Sequence, residues 1–466
     1  MKTLSSNELS DGDWLDGFLT RLTSATGVPG ISVSIHVAGE STTVCSGLTN
    51  AHGVAAMGTQ SRFQIGCIAK LLASLATLQL VSEGVLALDT PLHHWLPDIA
   101  EPFLGRGISI ADLLSHTSGY VPHQSLIVRY EQPLLWDEFA ASLGQSQQAF
   151  TPGTVFNYNG FDHILLAEVL RRATRLPLAE LLRQTVLDRA QLGYGSISED
   201  RRVAGVYVAH HAWNSRSRRY HPRERHDAAE PWPWSLTDIT MSTRELTDFC
   251  AAVMNCQRVS ESHLDLWNVG ALGMLLGPVT AVPHDTRTFG WYRQPLVSYG
   301  TGCARYGDGF MGHPGLSSGQ CCSLVFDPQR EVAVAIGINA PVAPLRDKVM
   351  ATLCEVLDGG DIPVSRAQPV DSATFRSDEV VGRYVGGSGF AQIEVERTGD
   401  ELVLRIGMPA SGVRAERRLA LDADGHLLAE AASGGLDRYP ICFFRERQSS
   451  IPCLMFGWQA HKRVGS

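Results

Sequence analysis

The chain has 466 residues, 44% of them hydrophobic, with 39 basic against 48 acidic side chains and a formal net charge of −9. That length suits two hydrophobic cores better than one. The mild acidic excess gives no support for nucleic-acid or anionic-membrane binding, and no apolar run approaches the length of a membrane span.

The first residues, Met1 to Glu8, contain no apolar signal core, and acids follow at Asp11 and Asp13. A cytoplasmic location is therefore expected. Ile31, Val33, Ile35 and Val37 alternate with polar residues, which predicts a half-buried strand. Leu71, Leu72, Leu75, Leu78 and Val81 have helical spacing, and Gly84 suits the helix stop. Ser242-Thr243-Arg244-Glu245 reads as a capping box opening a helix through Met254. From Leu324 to Ile336 two strands are expected, joined by a turn at Pro328.

This mixed α/β part ends near residue 357, and residues 358–372, opening Asp358-Gly359-Gly360, read as a linker. From 373 to 466 short strands recur, around Val380–Val385, Ile393–Glu396, Leu402–Ile406 and Cys442–Phe444. Their spacing suggests an antiparallel barrel or sandwich.

The ten cysteines lack a regular framework and read as reduced, buried small hydrophobes. Cys321-Cys322 is a tempting redox or metal pair, but neighbours on a strand point to opposite faces. His210, His211, His221 and His226 match no helix-borne ligand spacing, and Arg216, Arg218, Arg219, Arg223 and Arg225 crowd them with positive charge. No metal and no organic cofactor is expected. Residues 214–231 read as a solvated basic loop over the cleft, suited to an anionic substrate group. Trp232 and Trp234 beyond it read as packing anchors; a hydrophobic gate touching substrate at Trp234 is the functional alternative.

The chemistry centres on Cys67-Ile68-Ala69-Lys70 at the start of the apolar helix. A nucleophile three positions before a lysine shares its helix face, and the helix start stabilises negative charge there. A free thiol titrates near about 8.5 and falls at such a position, so a Cys67 thiolate beside a Lys70 ammonium is the expected resting state. The apolar neighbours Ile68, Leu71 and Leu72 disfavour an exposed helix lysine.

Several blocks in order resemble the serine β-lactamase and penicillin-binding-protein-like superfamily, especially its esterase, D-aminopeptidase and acyltransferase branch. They are Gly27–Val33, the Cys67–Lys70 helix, Leu80–Pro91, Trp95–Pro97, Ile108–Gly119, Pro152–Tyr158 and Gly312–Gly315. The resemblance implies an α/β (α+β) fold, with an antiparallel sheet flanked by helices and a helical subdomain. The tail resembles the small lipocalin-like β-barrel of some members.

The resemblance also assigns roles. Tyr158 would relay protons between Lys70, nucleophile and leaving group. His313 would form a polar or cationic cleft wall and serve as a proton donor. The N–H groups of Cys67 and Leu316 would form the oxyanion hole. Gly315 would let backbone approach the ligand. His116, in Ser115–Gly119, is mainly structural in this family.

Three departures stand out. Cysteine replaces the family's serine. The family's Tyr-x-Asn reads Tyr158-Asn159-Gly160, so Gly160 lacks the substrate-binding amide and Asn159 is the substitute. Pro314 replaces a hydroxyl residue and needs an edge strand or bulge.

A thiol nucleophile gives a thioester acyl-enzyme, which favours amines over water far more than an oxyester does. The leading expectation is therefore acyl transfer from a carrier-protein or coenzyme A thioester, or an activated ester, to an amine or hydroxyl of a small metabolite. Two alternatives stand beside it. One is a hydrolase (esterase, amidase or D-peptidase) using the same site. The other is a non-catalytic binding protein on a retired enzyme fold.

Overall fold

The computed structural model describes residues 13–99, 103, 105–123, 126, 135–192, 207–223, 239–258, 280–281, 296–307, 309–317, 319–357, 378–386, 392–399, 401–408, 413–421, 427–429, 441–446, 449–456 and 459–464. The 358–372 segment and Trp234 lie outside them.

Eight antiparallel strands form the first sheet. Their order is Glu40–Gly47, Gly30–Val37, Val332–Ile338, Cys321–Asp327, Met311–Leu316, Cys303–Tyr306, Leu296–Gly300 and Thr280–Ala281. The Gly30–Val37 strand corrects the half-buried expectation, because it is buried on both faces. Ile31, Val33 and Ile35 pack with Leu15 and Leu19 of the Asp13–Thr26 helix and Val349, Met350 and Leu353 of the Ala343–Leu357 helix. Ser32 and Ser34 face the Thr243–Arg258 helix, where their hydroxyls pair with those of Thr243 at 2.7 Å and Thr247 at 2.8 Å. The alternation thus separates two interfaces, and each buried hydroxyl has its partner.

Local signals at the other elements act as their chemistry requires. The Ser242 N–H donates to Glu245 Oε2 at 2.8 Å and the Glu245 N–H to Ser242 Oγ at 3.2 Å, closing the capping box. The helix then runs a turn beyond Met254, to Arg258. Asp327 Oδ1 accepts the Gln329 N–H at 2.8 Å, tightening the turn that contains Pro328. Cys321 packs into one core and Cys322 into the other, both as free thiols.

A helical layer covers the sheet beside the Met311–Leu316 strand. Its central helix, Ala69–Ser82, is buried from residue 69 through residue 80, which explains a sequence apolar on nearly every face. Leu113, Leu114, Leu165 and Leu166, from the Ile110–Ser115 and Gly160–Thr174 helices, share its core.

A second eight-stranded antiparallel sheet occupies the C-terminal part. Its order is Leu427–Ala429, Val413–Leu421, Glu401–Met408, Gln392–Thr398, Gly382–Gly386, Gln459–Val464, Pro452–Phe456 and Ile441–Arg445. The described strands form a half-barrel, partly consistent with the expected small barrel: the two end strands lie near each other without pairing among the described residues. One face of this sheet docks on the first part. Phe444, Cys453, Met455 and Ala460 share a core with Phe150, Val155 and Phe156. Glu446 Oε1 accepts the Thr151 N–H at 3.1 Å and the Thr154 hydroxyl at 2.9 Å. The Ala460 N–H donates to Asn157 Oδ1 at 3.1 Å, one residue before Tyr158.

No helix among the described residues is long and apolar enough to cross a membrane.

Candidate active site

Cys67 sits in a tight helical turn, Gly66–Ile68, that leads directly into the Ala69–Ser82 helix. No acidic residue occupies the first turn of that helix. Its positive end therefore faces the thiol without a competing carboxylate. Lys70 is buried at 5% exposure, and its Nζ lies 5.2 Å from the centre of the Tyr158 ring.

Burial alone would push the Cys67 thiol up. The Lys70 charge, side-chain hydrogen bonds with Tyr158 and Lys70, and the more distant Arg346 charge together outweigh it. The thiol is held below its ordinary range. The residue as a whole remains partly exposed.

The close approach of the Cys67 turn to the Met311–Leu316 strand rests on two glycines. Gly66 has φ +55°, and a Cβ there would lie 2.8 Å from Leu316 N and 2.7 Å from Leu316 O. A Cβ on Gly315 would lie 2.0 Å from Ile65 O. Only glycines let the Cys67 turn press against the Met311–Leu316 strand, and this puts the Leu316 backbone beside that of Cys67. Gly66→Ala is expected to lower acylation of Cys67 by roughly 10²-fold, the scale of one lost oxyanion donor. Single-turnover acylation of the variant measures it; an unchanged rate would remove Leu316 from the hole.

Pro314 occupies a strand position without a missing bond. The Met311–Leu316 strand pairs along its length with Cys321–Asp327, whereas Cys303–Tyr306 pairs only at Met311 and Gly312. From His313 onward the strand has an open edge among the described residues, where proline is tolerated.

His313 corrects one expectation. It is 1% exposed, and its Nδ1–H donates to the Pro314 carbonyl at 2.6 Å. Burial, reinforced by the Lys70 charge, pushes it down to about 3. It is a neutral imidazole with its proton on Nδ1, so Nε2 is an acceptor and not a cationic wall. Its ring lies 5.7 Å from Tyr158 and 5.9 Å from Tyr299.

Asn159 is also corrected. It is fully buried, and its Oδ1 caps the Gly160–Thr174 helix by accepting the Phe161 N–H at 3.1 Å. That oxygen is committed to a helix end and does not reach a ligand. Gly160 opens the same helix and brings no side chain.

His116 is buried in the left-handed conformation, with Nδ1 at 3.0 Å from Asp162 Oδ2. Ser118 donates to Asp162 Oδ1 at 2.7 Å. Burial lowers His116 well below its usual range and raises Asp162 well above its own, so burial favours the neutral form of each. The pair ties the Ile110–Ser115 helix to the Gly160–Thr174 helix, directly beneath Tyr158.

Three residues escaped the sequence reading. Tyr299 is buried with its ring 6.2 Å from Tyr158 and 5.1 Å from His116, flooring the site. His163 packs 4.8 Å from His116. Burial, then the Lys70 charge, holds it well below the usual histidine range. Arg346 lies behind the strand, fully buried. The basic residues Arg216, Arg218 and Arg219 belong to a hairpin, His211–Asn214 with Arg219–Pro222, and all three are exposed. Its base is fixed to the strand exit by the His211 N–H donating to Gly319 O at 3.1 Å.

Among the described residues no cluster of His, Cys, Asp or Glu could hold a metal ion. A partly exposed cysteine, a buried lysine and a tyrosine thus lie together, with the Leu316 backbone against the Gly66–Ile68 turn. The sequence also matches the beta-lactamase family over residues 15–353. The chain belongs to the β-lactamase family. Curated relatives include penicillin-binding protein 4 of Amycolatopsis lactamdurans, 30% identical over 149 residues, covering 32% of this chain and 39% of the relative. Esterase EstB of Burkholderia gladioli is 31% identical over 150 residues, covering 28% of this chain and 38% of the relative. The match thus spans about two fifths of these relatives' length. Among solved structures, SurE aligns over 98% of this chain and 100% of its own, with TM-score 0.74 and 23% identity. The D-amino acid amidase of Ochrobactrum anthropi SV3 aligns over 75% and 97%, with TM-score 0.56 and 16% identity. Alignment to SurE over nearly the whole chain extends the shared fold past the β-lactamase match and into the second sheet.

Proposed function

We propose that this β-lactamase-family protein is an acyl-transfer enzyme that forms a thioester acyl-enzyme on Cys67. The observation that carries the reading is the lowered thiol of Cys67 beside buried Lys70 and Tyr158. The Cys67 thiolate adds to the donor's carbonyl carbon, and the π pair moves onto oxygen, held by the N–H groups of Cys67 and Leu316. The adduct collapses, the C–S bond to Cys67 stays, and the donor's thiolate or alkoxide leaves with a proton from Tyr158. An amine or hydroxyl then attacks the thioester, passes its proton to the Tyr158–Lys70 pair, and releases Cys67. Neutral His313 offers Nε2 as a hydrogen-bond acceptor at that stage.

Donor chemistry follows from two features. The exposed basic hairpin beside the strand exit suits an anionic thioester donor, a coenzyme A or carrier-protein thioester. The structural neighbours supply the second: SurE has been solved with D-Leu, the Ochrobactrum amidase with D-phenylalanine, and a Streptomyces amidohydrolase is D-stereospecific. A D-configured residue at the scissile carbonyl is the proposed acyl group.

A second reading uses water as the acceptor. The relatives named esterase and D-amino acid amidase favour it. The thiol favours transfer, because a thioester discriminates strongly for amines.

One experiment separates these readings. Intact-protein mass is measured after incubation with D- and L-aminoacyl thioesters and p-nitrophenyl esters, for wild type and Cys67→Ala. The expected result is an adduct with D-donors, lost in the variant and discharged faster by added amines. Release at one rate with or without amines would establish the hydrolase; no adduct and no turnover with any donor would overturn both.

A further inference from the structure

A fully buried guanidinium is rare, because desolvating it costs several kcal/mol unless every N–H finds a partner. Arg346, in the first turns of the Ala343–Leu357 helix, has 0% exposure. Its Nε and Nη2 donate to Asp347 Oδ1 at 2.8 and 2.6 Å. Its Nη1 donates to the Gly315 carbonyl at 2.9 Å and to the Cys322 carbonyl at 3.1 Å. Gly315 and Cys322 face each other across neighbouring strands. Asp347 alone could balance the charge. The remaining nitrogen is spent on backbone carbonyls, one of them in the peptide that matters for the reading above.

The Gly315 carbonyl and the Leu316 N–H belong to one peptide group. No cis bond occurs among the described residues, so this peptide is trans and its N–H points opposite its carbonyl. With the carbonyl pinned by Arg346 on one side, the N–H is directed to the other, where the Gly66–Ile68 turn lies. A cation at the carbonyl oxygen draws electron density from the amide nitrogen and makes its N–H a stronger donor.

We infer that Arg346 is a positioning residue of the oxyanion hole, holding and polarising the Gly315–Leu316 peptide through its carbonyl so that the Leu316 N–H meets the developing oxyanion. The inference rests on the Cys67 acyl-enzyme reading. It gives a physical reason for a buried arginine at the back of a strand that, among the described residues, has no second strand at this peptide to keep it from rotating. Its demand falls on the transition state, in which the carbonyl oxygen carries charge, and not on the thiol itself.

The test compares two reactions of the same sulfur in the full-length protein. Acylation by an acyl thioester passes through an oxyanion; alkylation by iodoacetamide displaces iodide at carbon and does not. Both are measured at a pH where Cys67 is fully thiolate, so the arginine's influence on the thiol drops out. Arg346→Gln is expected to slow acylation by about 10- to 100-fold. Alkylation should stay within threefold. Arg346→Lys, which keeps the charge and one carbonyl bond, should fall between and serves as the test if Arg346→Gln does not fold. An equal fall in both reactions, or unchanged acylation, would overturn the inference. Wild-type protein that alkylates but is acylated by no donor would instead overturn the acyl-enzyme reading on which it stands.

Discussion

Lys70→Ala is expected to lower turnover by about 10²- to 10⁴-fold, the range for losing a positioned acid–base group. A second signature accompanies it. The Cys67 thiol is pushed up by burial and brought down mainly by the Lys70 charge, with the hydrogen bonds from Tyr158 and Lys70 adding to it. Removing the lysine takes away two of these depressing influences and leaves the burial. The thiol must then titrate at higher pH, and less thiolate is present at neutrality. The rate of iodoacetamide alkylation against pH measures this directly: the variant's midpoint should lie above that of wild type. A midpoint that stays or falls would mean that the lysine does not set the state of the sulfur.

Acid should unfold this protein early. His163, His313 and His461 are buried and held neutral, His313 and His461 at about 3 and His163 well below its usual range, each chiefly by burial. The sign follows from linkage. Above about 6.5 these groups are neutral in both folded and unfolded chains, so their neutrality costs nothing. As pH falls below that value the unfolded chain binds protons that the folded chain refuses. Stability is therefore lost from about 6.5 down toward the folded values, about 3 for His313 and His461, at up to roughly 1.4 kcal/mol per pH unit per histidine. His116 is left out of this sum. Burial raises Asp162 beside it, and that shift opposes the effect of the lowered His116 on the protons bound at acid pH. Three histidines give about 4 kcal/mol per unit, against a typical total stability of about 5–15 kcal/mol. The expected midpoint lies roughly one to three units below 6.5.

His461 isolates one contribution. Opposite Leu454 on the second sheet, it has no hydrogen-bond partner on either ring nitrogen among the described residues. His461→Leu should move the acid midpoint, followed by circular dichroism, to lower pH and reduce its steepness. A midpoint at the wild-type pH would show that His461 is protonated without unfolding.

The parts of the site that the sequence discloses are those built from neighbours in the chain. Cys67 and Lys70 share a face because three residues make nearly one helical turn. The Ser242–Glu245 box closes because its partners are three apart. Asn159 carried a legible local signal as well: an Asn before Gly160-Phe161-Asp162 is a helix start, and its cap competes with any ligand. The rest depends on chain segments far apart. Tyr299, His163 and Arg346 reach the site from a strand and two helices, and no spacing links them to residue 67. Arg346 near a helix start reads as an exposed charge, and only the fold buries it. His313 reads as cationic because its neutrality is imposed by burial and by a lysine 243 positions away in the chain, although it lies close by in space. Ser32 and Ser34 read as a solvent face because their hydroxyl partners lie more than two hundred residues away.

The bond from the Ala460 N–H to Asn157 Oδ1 reaches further than its 3.1 Å. It places the last described strand one residue from Tyr158, inside a core that both sheets build together. A ribosome making this protein has therefore placed Cys67, Lys70 and Tyr158 long before the backing of that tyrosine exists. The Cys67 thiol acquires its finished surroundings only after residue 460 has been made. For protein engineers the same fact sets a unit of exchange: a tail grafted from a relative must bring its match for Asn157, or the loop carrying Tyr158 loses its support.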